Sequence, residues 1–457
     1  MRRNIDMLNG SLYKGILSYT IPIILTSILQ LLFNAADLVV VGRYCGSICV
    51  AAVSATGSLT NLITNLFIGL SVGAGATVAH GIGGQRHDDV HKTVHTAILT
   101  AIISGAILTV VGIIFSGELL ELMKTPENVL PLSAKYMRIY FGGMLFTMVY
   151  NFAASILRAA GDTKSPLLFL TIAGVINVIL NLFFVIVLGM DVDGVALATI
   201  ISQGISAVLV IIALTKRTDG CKLSLNKLRI YKEQLAKIIR IGLPAGLQSS
   251  LFSISNVIIQ SSINSFNSDA IMSGNGSAAN IEGFVYVTIN SFSQAAVNFT
   301  GQNMGAHKFD RVKKVFGICL GYVTLFGLVT GITTRIFAPQ LLSFYITDSP
   351  EAILYGIARM NCICLTYFLC GIMDTTTGAL RGLGSSVAPM FCTVLGVCGL
   401  RIVWIYTIFQ IPKYHTIDWL YISYPISWLI TLIVEIIAYI ILFKKKEQAD
   451  KRLYAQH

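Results

Sequence analysis

Long uninterrupted runs of apolar residues limit what this chain can fold into. Most runs are about 20 residues or longer, the length that an α-helix needs to cross the roughly 30 Å hydrocarbon core of a bilayer. Hydrophobic residues make up 54% of the 457 residues and charged residues only 12%, about half the charged share of an average soluble protein. A soluble globule could not bury so much apolar surface, so the sequence predicts an all-α polytopic membrane protein.

Twelve apolar segments are long enough to be transmembrane helices. They cover about 16–41, 49–80, 93–115, 133–157, 166–188, 194–215, 239–263, 276–302, 312–338, 352–378, 388–410 and 417–443. An even number of spans places both termini on one side, and the segments on that side hold 25 of the 33 lysines and arginines. The positive-inside rule therefore predicts a multi-pass protein of the cytoplasmic (inner) membrane with both termini in the cytoplasm.

The second half of the chain repeats features of the first half at a nearly constant distance. Ile21–Pro22 corresponds to Leu243–Pro244, 222 residues later, and the Leu-Arg-x-x-Gly segment 157–161 corresponds to 380–384, 223 residues later. Each half has six spans, so both repeats insert with the same orientation and are related by pseudo-two-fold symmetry along the membrane normal. This predicts two six-helix lobes with a transport cleft between them and alternating access by rocking.

Domain boundaries follow from this duplication. The N-terminal lobe is predicted to cover 1–215 with spans 1 to 6, and the basic segment 216–238 to be a cytoplasmic linker. The C-terminal lobe, 239–457, holds spans 7 to 12 and a cytoplasmic tail. We expect a monomer whose partners are membrane lipids and small amphipathic or cationic molecules.

Several function classes are excluded by what the sequence lacks. The net charge of +11 is placed at the ends of apolar runs and forms no basic stripe, so nucleic acid is not an expected partner. No Gly-Lys dipeptide and no HExxH motif occur, which excludes a P-loop and a zincin site. We therefore expect no enzyme activity and no cofactor, with a proton or sodium gradient as the energy source.

Four carboxyl side chains lie well inside predicted spans: Asp37, Glu282, Asp374 and Glu435. A charge near the bilayer midplane costs about 3 kcal/mol or more, so such residues are rare and usually functional. Asp37 is a plausible proton site because desolvation disfavours its charged form; a structural ion pair or an interfacial position is the alternative. For Glu435 the sequence favours a structural role.

Polar side chains on spans 5 and 6 complete a candidate coupling-cation site with Asp37. Asn177 and Asn181 are four residues apart and share a helical face, and Thr199 lies on span 6. Carboxylate, amide and hydroxyl oxygens suit either a proton-linked network or a metal site of Asp37, Asn177 and Asn181 for sodium. The alternative is that the amides and the hydroxyl only join helices.

Further candidates lie in both halves. Glu282 and Asp374 could attract a cationic substrate or carry protons, unless they are paired with Arg359 or Arg401. Pro22 can act as a hinge in span 1, or it can simply start the helix. Four side chains could line a substrate cleft, although aromatic residues at helical spacing more often pack: Tyr150, Tyr286, Gln260 and Gln294.

The motifs together resemble the multidrug and toxic compound extrusion (MATE) family over essentially the whole chain. They are 34–37 with 41–43 in span 1, 194–199 in span 6, Gly-Leu-Pro at 242–244 and Leu-Arg-Gly at 380–382. The resemblance implies a proton- or sodium-driven antiporter that exports organic cations and other amphipathic compounds. It also implies an N-lobe cation site whose roles fall on Asp37, Asn177, Asn181 and Thr199.

The chain departs from the family pattern at two places. Many members have a carboxylate where this chain has Asn181, which leaves one acid in the cation site. Another branch uses an acid on span 7, and 248–260 contains none. The alternative functions are a lipid-linked oligosaccharide flippase of similar architecture and, more remotely, an intramembrane enzyme.

Overall fold

The computed structural model describes residues 4–123, 125–347 and 349–454, and within these ranges it contains helices and loops but no β-strand. The α-helices are α1 (Leu12–Tyr44), α2 (Ser47–Gly83), α3 (His87–Leu122), α4 (Leu130–Gly142), α5 (Met144–Ala159), α6 (Lys164–Leu182), α7 (Val192–Thr215), α8 (Lys232–Asn264), α9 (Asp269–Gly305), α10 (Phe309–Ile336), α11 (Ala338–Ser343), α12 (Pro350–Gly382), α13 (Val387–Thr393), α14 (Leu400–Tyr406) and α15 (Ile417–Tyr454). A π-helical turn, Phe183–Val187, continues α6, and another, Val394–Gly399, joins α13 to α14. The predicted all-helical fold class is confirmed.

The helices coincide with the predicted membrane spans. Within the described residues, nine helical stretches are long and apolar enough to cross a bilayer, and the pair α4 and α5, bent by 47°, adds a tenth. α8 and α9 have 33 and 37 residues and are long enough, but they do not pass the same hydropathy test. A polytopic helical protein is therefore confirmed, and the number of twelve spans stays a prediction.

The chain forms two compact units. The first consists of Ile21–Ser250 together with the chain start up to Asp6, and the second of Met7–Thr20 together with the chain from Leu251 onward. In the first unit α5 packs against α2, α3 and α7, and in the second α12 packs against α9, α10 and α15. α5 belongs to the fourth predicted span of the first half, and α12 is the fourth span of the second half. In both halves this span packs against the second, third and sixth spans, as an internal duplication predicts.

The duplication is also visible in the backbone of the loops. Three residues with a left-handed backbone in the first half have counterparts 221 to 223 residues later. The pairs are Gly46 (φ 87°) with Asn267 (49°), Gln85 (53°) with His307 (58°), and Gly161 (84°) with Gly384 (81°). Because a positive φ is uncommon for residues other than glycine, its recurrence at Gln85 and His307 indicates that the loop conformation itself is repeated.

Two long helices change unit partway along their length. α8 begins at Lys232, inside the predicted linker 216–238, and its residues up to Ser250 belong to the first unit. Likewise, the residues of α1 up to Thr20 belong to the second unit. The observed boundary thus lies within a helix and not at the linker. The predicted lobes 1–215 and 239–457 remain a proposal for the domain organisation.

Four glycines explain why α8 starts in the first unit. Gly69 and Gly73 on α2, and Gly242 and Gly246 on α8, are four residues apart and so share a helical face. A Cβ on Gly246 would lie 2.2 Å from the carbonyl oxygen of Leu66, and one on Gly69 would lie 2.2 Å from the backbone nitrogen of Gly246. The two backbones are therefore in direct contact, the packing that small residues permit between membrane helices.

The linker is held against the first unit by hydrogen bonds. The backbone N–H of Ser224 donates to Nε2 of His95 on α3 at 3.0 Å. Within the linker, Arg217 and Asp219 form an ion pair at 2.5 Å. Partial burial opposes ionisation of Asp219, but the hydrogen bonds and charge of Arg217 outweigh it and lower the pKa of this carboxyl. The basic linker is thus an ordered part of the unit.

Candidate functional site

The carboxyl group of Asp37 on α1 lies beside two amides of α6 and a hydroxyl of α7. Asn181 Nδ2 donates to Asp37 Oδ1 at 2.5 Å and to Asn177 Oδ1 at 3.3 Å. Asn177 Nδ2 in turn contacts Thr199 Oγ1 at 3.5 Å. The structure therefore brings together, within the first unit, the four residues that the sequence nominates for the coupling-cation site.

Close packing of α1 against α6 sets the position of Asp37. A Cβ on Gly174 would lie 1.8 Å from Cε2 of Phe33, so the ring fits only because residue 174 is glycine. Phe33 precedes Asp37 by about one helical turn, and Gly174 precedes Asn181 by about two. The contact thus anchors the two helices directly beside the carboxyl and its amide partner.

The amide of Asn181 determines which protonation states of Asp37 the site can accommodate. Asn181 is fully buried, and its Oδ1 has no hydrogen-bond partner among the described residues. An ionised Asp37 accepts from Nδ2 of this amide, whereas a protonated Asp37 would become a donor. If the amide turned over, its Oδ1 would face the carboxyl and accept a hydrogen bond from the protonated Asp37. The site can therefore satisfy both protonation states of Asp37 with groups already present.

Two tyrosines of α4 also belong to the surroundings of Asp37. The rings of Tyr136 and Tyr140 stack with their centroids 6.0 Å apart. Both hydroxyls lie within electrostatic range of the Asp37 carboxyl. The sequence pattern did not point to them as site residues, although their four-residue spacing places them on one helical face. Tyrosine near the end of a membrane helix is common at the lipid interface, so spacing alone did not point to Asp37.

Glu282, a candidate proton or substrate site, forms a buried ion pair with Arg359. Nε and Nη2 of Arg359 contact the two carboxylate oxygens of Glu282 at 2.8 and 2.7 Å, a bidentate arrangement. The remaining Nη1 donates to Asn275 Oδ1 at 2.6 Å, and the Tyr421 hydroxyl donates to the same oxygen at 3.3 Å. Every nitrogen of this guanidinium is thus bound, and the geometry favours the structural alternative for Glu282.

Asp374 on α12 has partners of its own. Asn290 Nδ2 lies 3.3 Å from Asp374 Oδ2 and 3.4 Å from the hydroxyl of Tyr286. The backbone oxygen of Asp374 accepts from Ser293 Oγ at 2.6 Å. The structure therefore does not place Asp374 in one site with Glu282, but it does place it beside Tyr286, a candidate cleft residue.

Glu435 on α15 is fully buried. Its Oε1 accepts hydrogen bonds from the hydroxyls of Thr377 and Thr393, both at 3.0 Å. Its Oε2 has no hydrogen-bond partner among the described residues. The two threonines tie α12, α13 and α15 together at this carboxyl, which agrees with a structural role.

The other candidate cleft residues have dissimilar surroundings. Tyr150 is buried, and its hydroxyl donates to the carbonyl oxygen of Pro166 at 3.3 Å. Gln260 is exposed and accepts from Asn275 Nδ2 at 3.0 Å. Gln294 is half-buried on α9. A common role of these side chains in a cleft stays a prediction.

Comparison with known proteins supports one family over the whole chain. The family model described as MatE matches residues 22–183 and 244–407, one copy in each half. The probable multidrug resistance protein YoeA of Bacillus subtilis is 29% identical over 449 residues, which is 96% of this chain and 95% of the relative. An FAD transporter of Shewanella oneidensis is 26% identical over 305 residues, 65% of each chain.

A solved structure has the same fold. It is described as the outward-facing conformation of a multidrug resistance MATE family transporter. It superimposes with a TM-score of 0.90 over 98% of this chain and 99% of that one, at 21% identity. Since the two family-model matches together cover well over half of the 457 residues, the chain belongs to the MATE family of multidrug efflux transporters.

Proposed function

We propose that this protein exports amphipathic compounds, organic cations among them, in exchange for a proton taken up at Asp37. The carrying observation is the single carboxyl of Asp37 bound by the amide of Asn181, whose own oxygen has no hydrogen-bond partner among the described residues. Substrates are suggested by two relatives, one described as a probable multidrug resistance protein and one as an FAD transporter.

The direction of the hydrogen bonds supports a proton over sodium. Asn181 presents an N–H group to Asp37, and the same amide occupies the oxygen of Asn177. A hard cation such as sodium would instead require oxygen atoms to converge on one point. Sodium coupling through the oxygens of Asp37, Asn177, Asn181 and Thr199 is the alternative that the experiment below separates from this one.

Pro22 suggests how the charge on Asp37 is coupled to movement. Proline has no N–H to donate to the preceding turn, so a helix bends there more easily. Pro22 lies two residues after Thr20, where α1 passes from the second unit to the first. We expect protonation of Asp37 to release substrate from the outward-facing state and to let α1 bend. Release of the proton to the cytoplasm then resets the transporter.

We further propose the membrane placement that the loop charges predict, with both termini in the cytoplasm of a monomer in the inner membrane. Cysteines introduced one at a time into loops of a cysteine-free variant report this placement. Thiol reagents that do not cross the membrane should label the linker 216–231 only after the cells are opened. Labelling of the linker in intact cells would reverse the orientation.

The coupling ion is tested by ethidium efflux from proteoliposomes under a proton gradient or a sodium gradient, imposed separately. We expect efflux under the proton gradient alone and its loss in Asp37→Asn. Asp88→Asn is the matched control, because this carboxyl at the start of α3 is 78% exposed and forms a surface ion pair with Lys92. Efflux at the wild-type rate in a normally folded Asp37→Asn variant would contradict the proton mechanism.

Two other outcomes have definite meanings. Efflux under the sodium gradient alone would replace the proton by a sodium ion at the same four side chains. No ethidium or other drug efflux under either gradient would favour the flippase alternative. That alternative predicts instead the movement of a phosphate-linked lipid between leaflets, which fluorescent lipid analogues measure.

A further inference from the structure

Arg401 on α14 is a buried cation with most of its hydrogen-bonding capacity unused. The side chain is 1% exposed, and its Nε donates to Ser427 Oγ at 3.0 Å. The two terminal nitrogens, Nη1 and Nη2, have no hydrogen-bond partner among the described residues. Each of these nitrogens carries two N–H groups, and one N–H of each points in parallel from the shared end of the guanidinium.

The contrast with Arg359 shows that this state is unusual for the second unit. Arg359 is equally buried, but Glu282 and Asn275 bind all three of its nitrogens. Arg359 forms an ion pair with Glu282, whereas Arg401 forms no ion pair among the described residues. The protein has therefore compensated one buried guanidinium and left the other without a counter-charge in the part of the chain that the structure describes.

The two guanidiniums belong to one cluster, because they share the ring of Tyr424. The Cζ atom of Arg401 lies 4.1 Å from the centroid of this ring, and that of Arg359 lies 5.6 Å from it. Glu282 supplies the one carboxylate in this set. The cluster thus carries two positive charges and one negative charge, and a buried charge without a partner is strongly unfavourable.

Aromatic rings surround Arg401. Besides Tyr424, the indole of Trp428 lies 5.6 Å and the ring of Phe252 5.8 Å from its Cζ atom. The ring of Tyr367 lies next to Trp428, with centroids 5.2 Å apart. Cation–π contacts lower the cost of burying the guanidinium, but they do not satisfy its in-plane N–H donors. Aromatic walls around a cation also suit a planar, anionic guest.

We propose that Arg401 is a binding site for the anionic group of an aromatic substrate, with a carboxylate or phosphate oxygen pair bound by Nη1 and Nη2. Tyr424, Trp428 and Phe252 would then contact the aromatic part of the same molecule. This inference rests on the proposed export function and adds to its substrates compounds that combine a planar ring with a negative group. Because Arg401 is 1% exposed here, such a compound enters in another state of the transport cycle.

The chain contains a reporter for this site. It has three tryptophans, Trp404, Trp419 and Trp428, of which Trp428 lies against Arg401. In a variant with Trp404→Phe and Trp419→Phe, the emission of Trp428 can be followed while 1-naphthoate is added to the purified full-length protein. The uncharged 1-naphthamide has nearly the same shape and is the control ligand.

We expect saturable quenching by 1-naphthoate and at least about tenfold weaker binding of 1-naphthamide, since the amide lacks the charge that strengthens hydrogen bonds from the guanidinium. Arg401→Gln should weaken naphthoate binding by a similar factor and leave naphthamide unchanged. Arg401→Lys keeps the charge but loses the paired donors, so its affinity should be intermediate. This second variant keeps the test decisive if Arg401→Gln does not fold.

Three results would overturn the proposal: no saturable binding of 1-naphthoate to the parent protein, equal affinity for the acid and the amide, or unchanged naphthoate binding in both Arg401 variants. Ethidium, which has no anionic group, separates this test from that of the export function. Weaker naphthoate binding with normal ethidium efflux in Arg401→Lys supports the site. Naphthoate binding without any ethidium efflux from the parent protein keeps the site and removes drug export.

Discussion

The ring of Phe33 on α1 occupies the space in which a side chain of residue 174 on α6 would begin. A Cβ added to Gly174 would lie 1.8 Å from the ring. This contact lies about one helical turn from Asp37, so the packing of two apolar surfaces holds the carboxyl within hydrogen-bond distance of Asn181. The candidate ion site therefore depends on a residue that has no side chain.

Gly174→Ala should damage transport by pushing α1 away from α6. We expect a loss of about 1–3 kcal/mol in stability, the usual cost of overpacking, together with slower proton-driven ethidium efflux. Gly204→Ala on α7 is the control, because its nearest neighbour, Phe146, would be 3.8 Å from the new Cβ. Thermal unfolding and efflux are measured on the same preparations. Equal behaviour of the two variants would contradict the role of this contact.

Thr199→Val should separate a proton site from a sodium site, and Asn181→Leu is the control that disables the site in both cases. Asn181→Leu removes the amide partner of Asp37, so efflux should be lost in either mechanism. Thr199 donates its hydroxyl to the carbonyl oxygen of Val195 at 3.0 Å and only receives a 3.5 Å contact from Asn177. Proton-driven efflux should therefore survive Thr199→Val within a few-fold. Loss of efflux in Thr199→Val would instead indicate that its oxygen binds the coupling ion.

Glu282→Leu should destabilise the protein because Arg359 would lose its counter-charge inside the second unit. Breaking a buried ion pair in this way typically costs about 3–5 kcal/mol. The double variant Glu282→Leu with Arg359→Met removes both charges and should recover much of that loss. Denaturation of the purified variants measures both effects. A stable Glu282→Leu variant that has lost only efflux would show that Glu282 takes part in transport.

Gly246→Ala should be among the most damaging small substitutions in the chain. The added Cβ would lie 2.2 Å from the backbone oxygen of Leu66, and backbone cannot move aside as a side chain can. Gly57→Ala on α2 is the matched control, since a Cβ there meets nothing within 4 Å, and alanine favours a helix by about 1 kcal/mol over glycine. The yield of folded protein after extraction compares them. Normal yield of Gly246→Ala would rule out the tight contact between α2 and α8.

Features that depend on local sequence were predictable. Apolar runs gave the positions of the helices, since the length of such a run is fixed by the bilayer. The spacing of Asn177 and Asn181 gave their shared face, and the matching motifs gave the duplication that both family-model matches confirm. These inferences need only helical geometry and the cost of placing charges in lipid.

Features that depend on contacts between distant segments were not predictable. The sequence offered Arg359 and Arg401 equally as partners for the intramembrane acids. Only the fold places Arg359 against Glu282, with no ion pair to Arg401 in the described part of the chain. The same holds for Tyr136 and Tyr140 beside Asp37. A pattern along one helix does not reveal which side of a neighbouring helix it will meet.

The repeated left-handed loops suggest which loop sequences can replace each other between the two halves of the protein. At the loops of Gln85 in the first half and His307 in the second, two different sequences adopt a similar backbone, with φ of 53° and 58°. Exchanging the two loop sequences creates chimeras in which each sequence already adopts a similar backbone elsewhere in the same protein. An engineer who needs an altered loop, for an antibody epitope or a fluorescent tag, can therefore begin at Gln85 and His307.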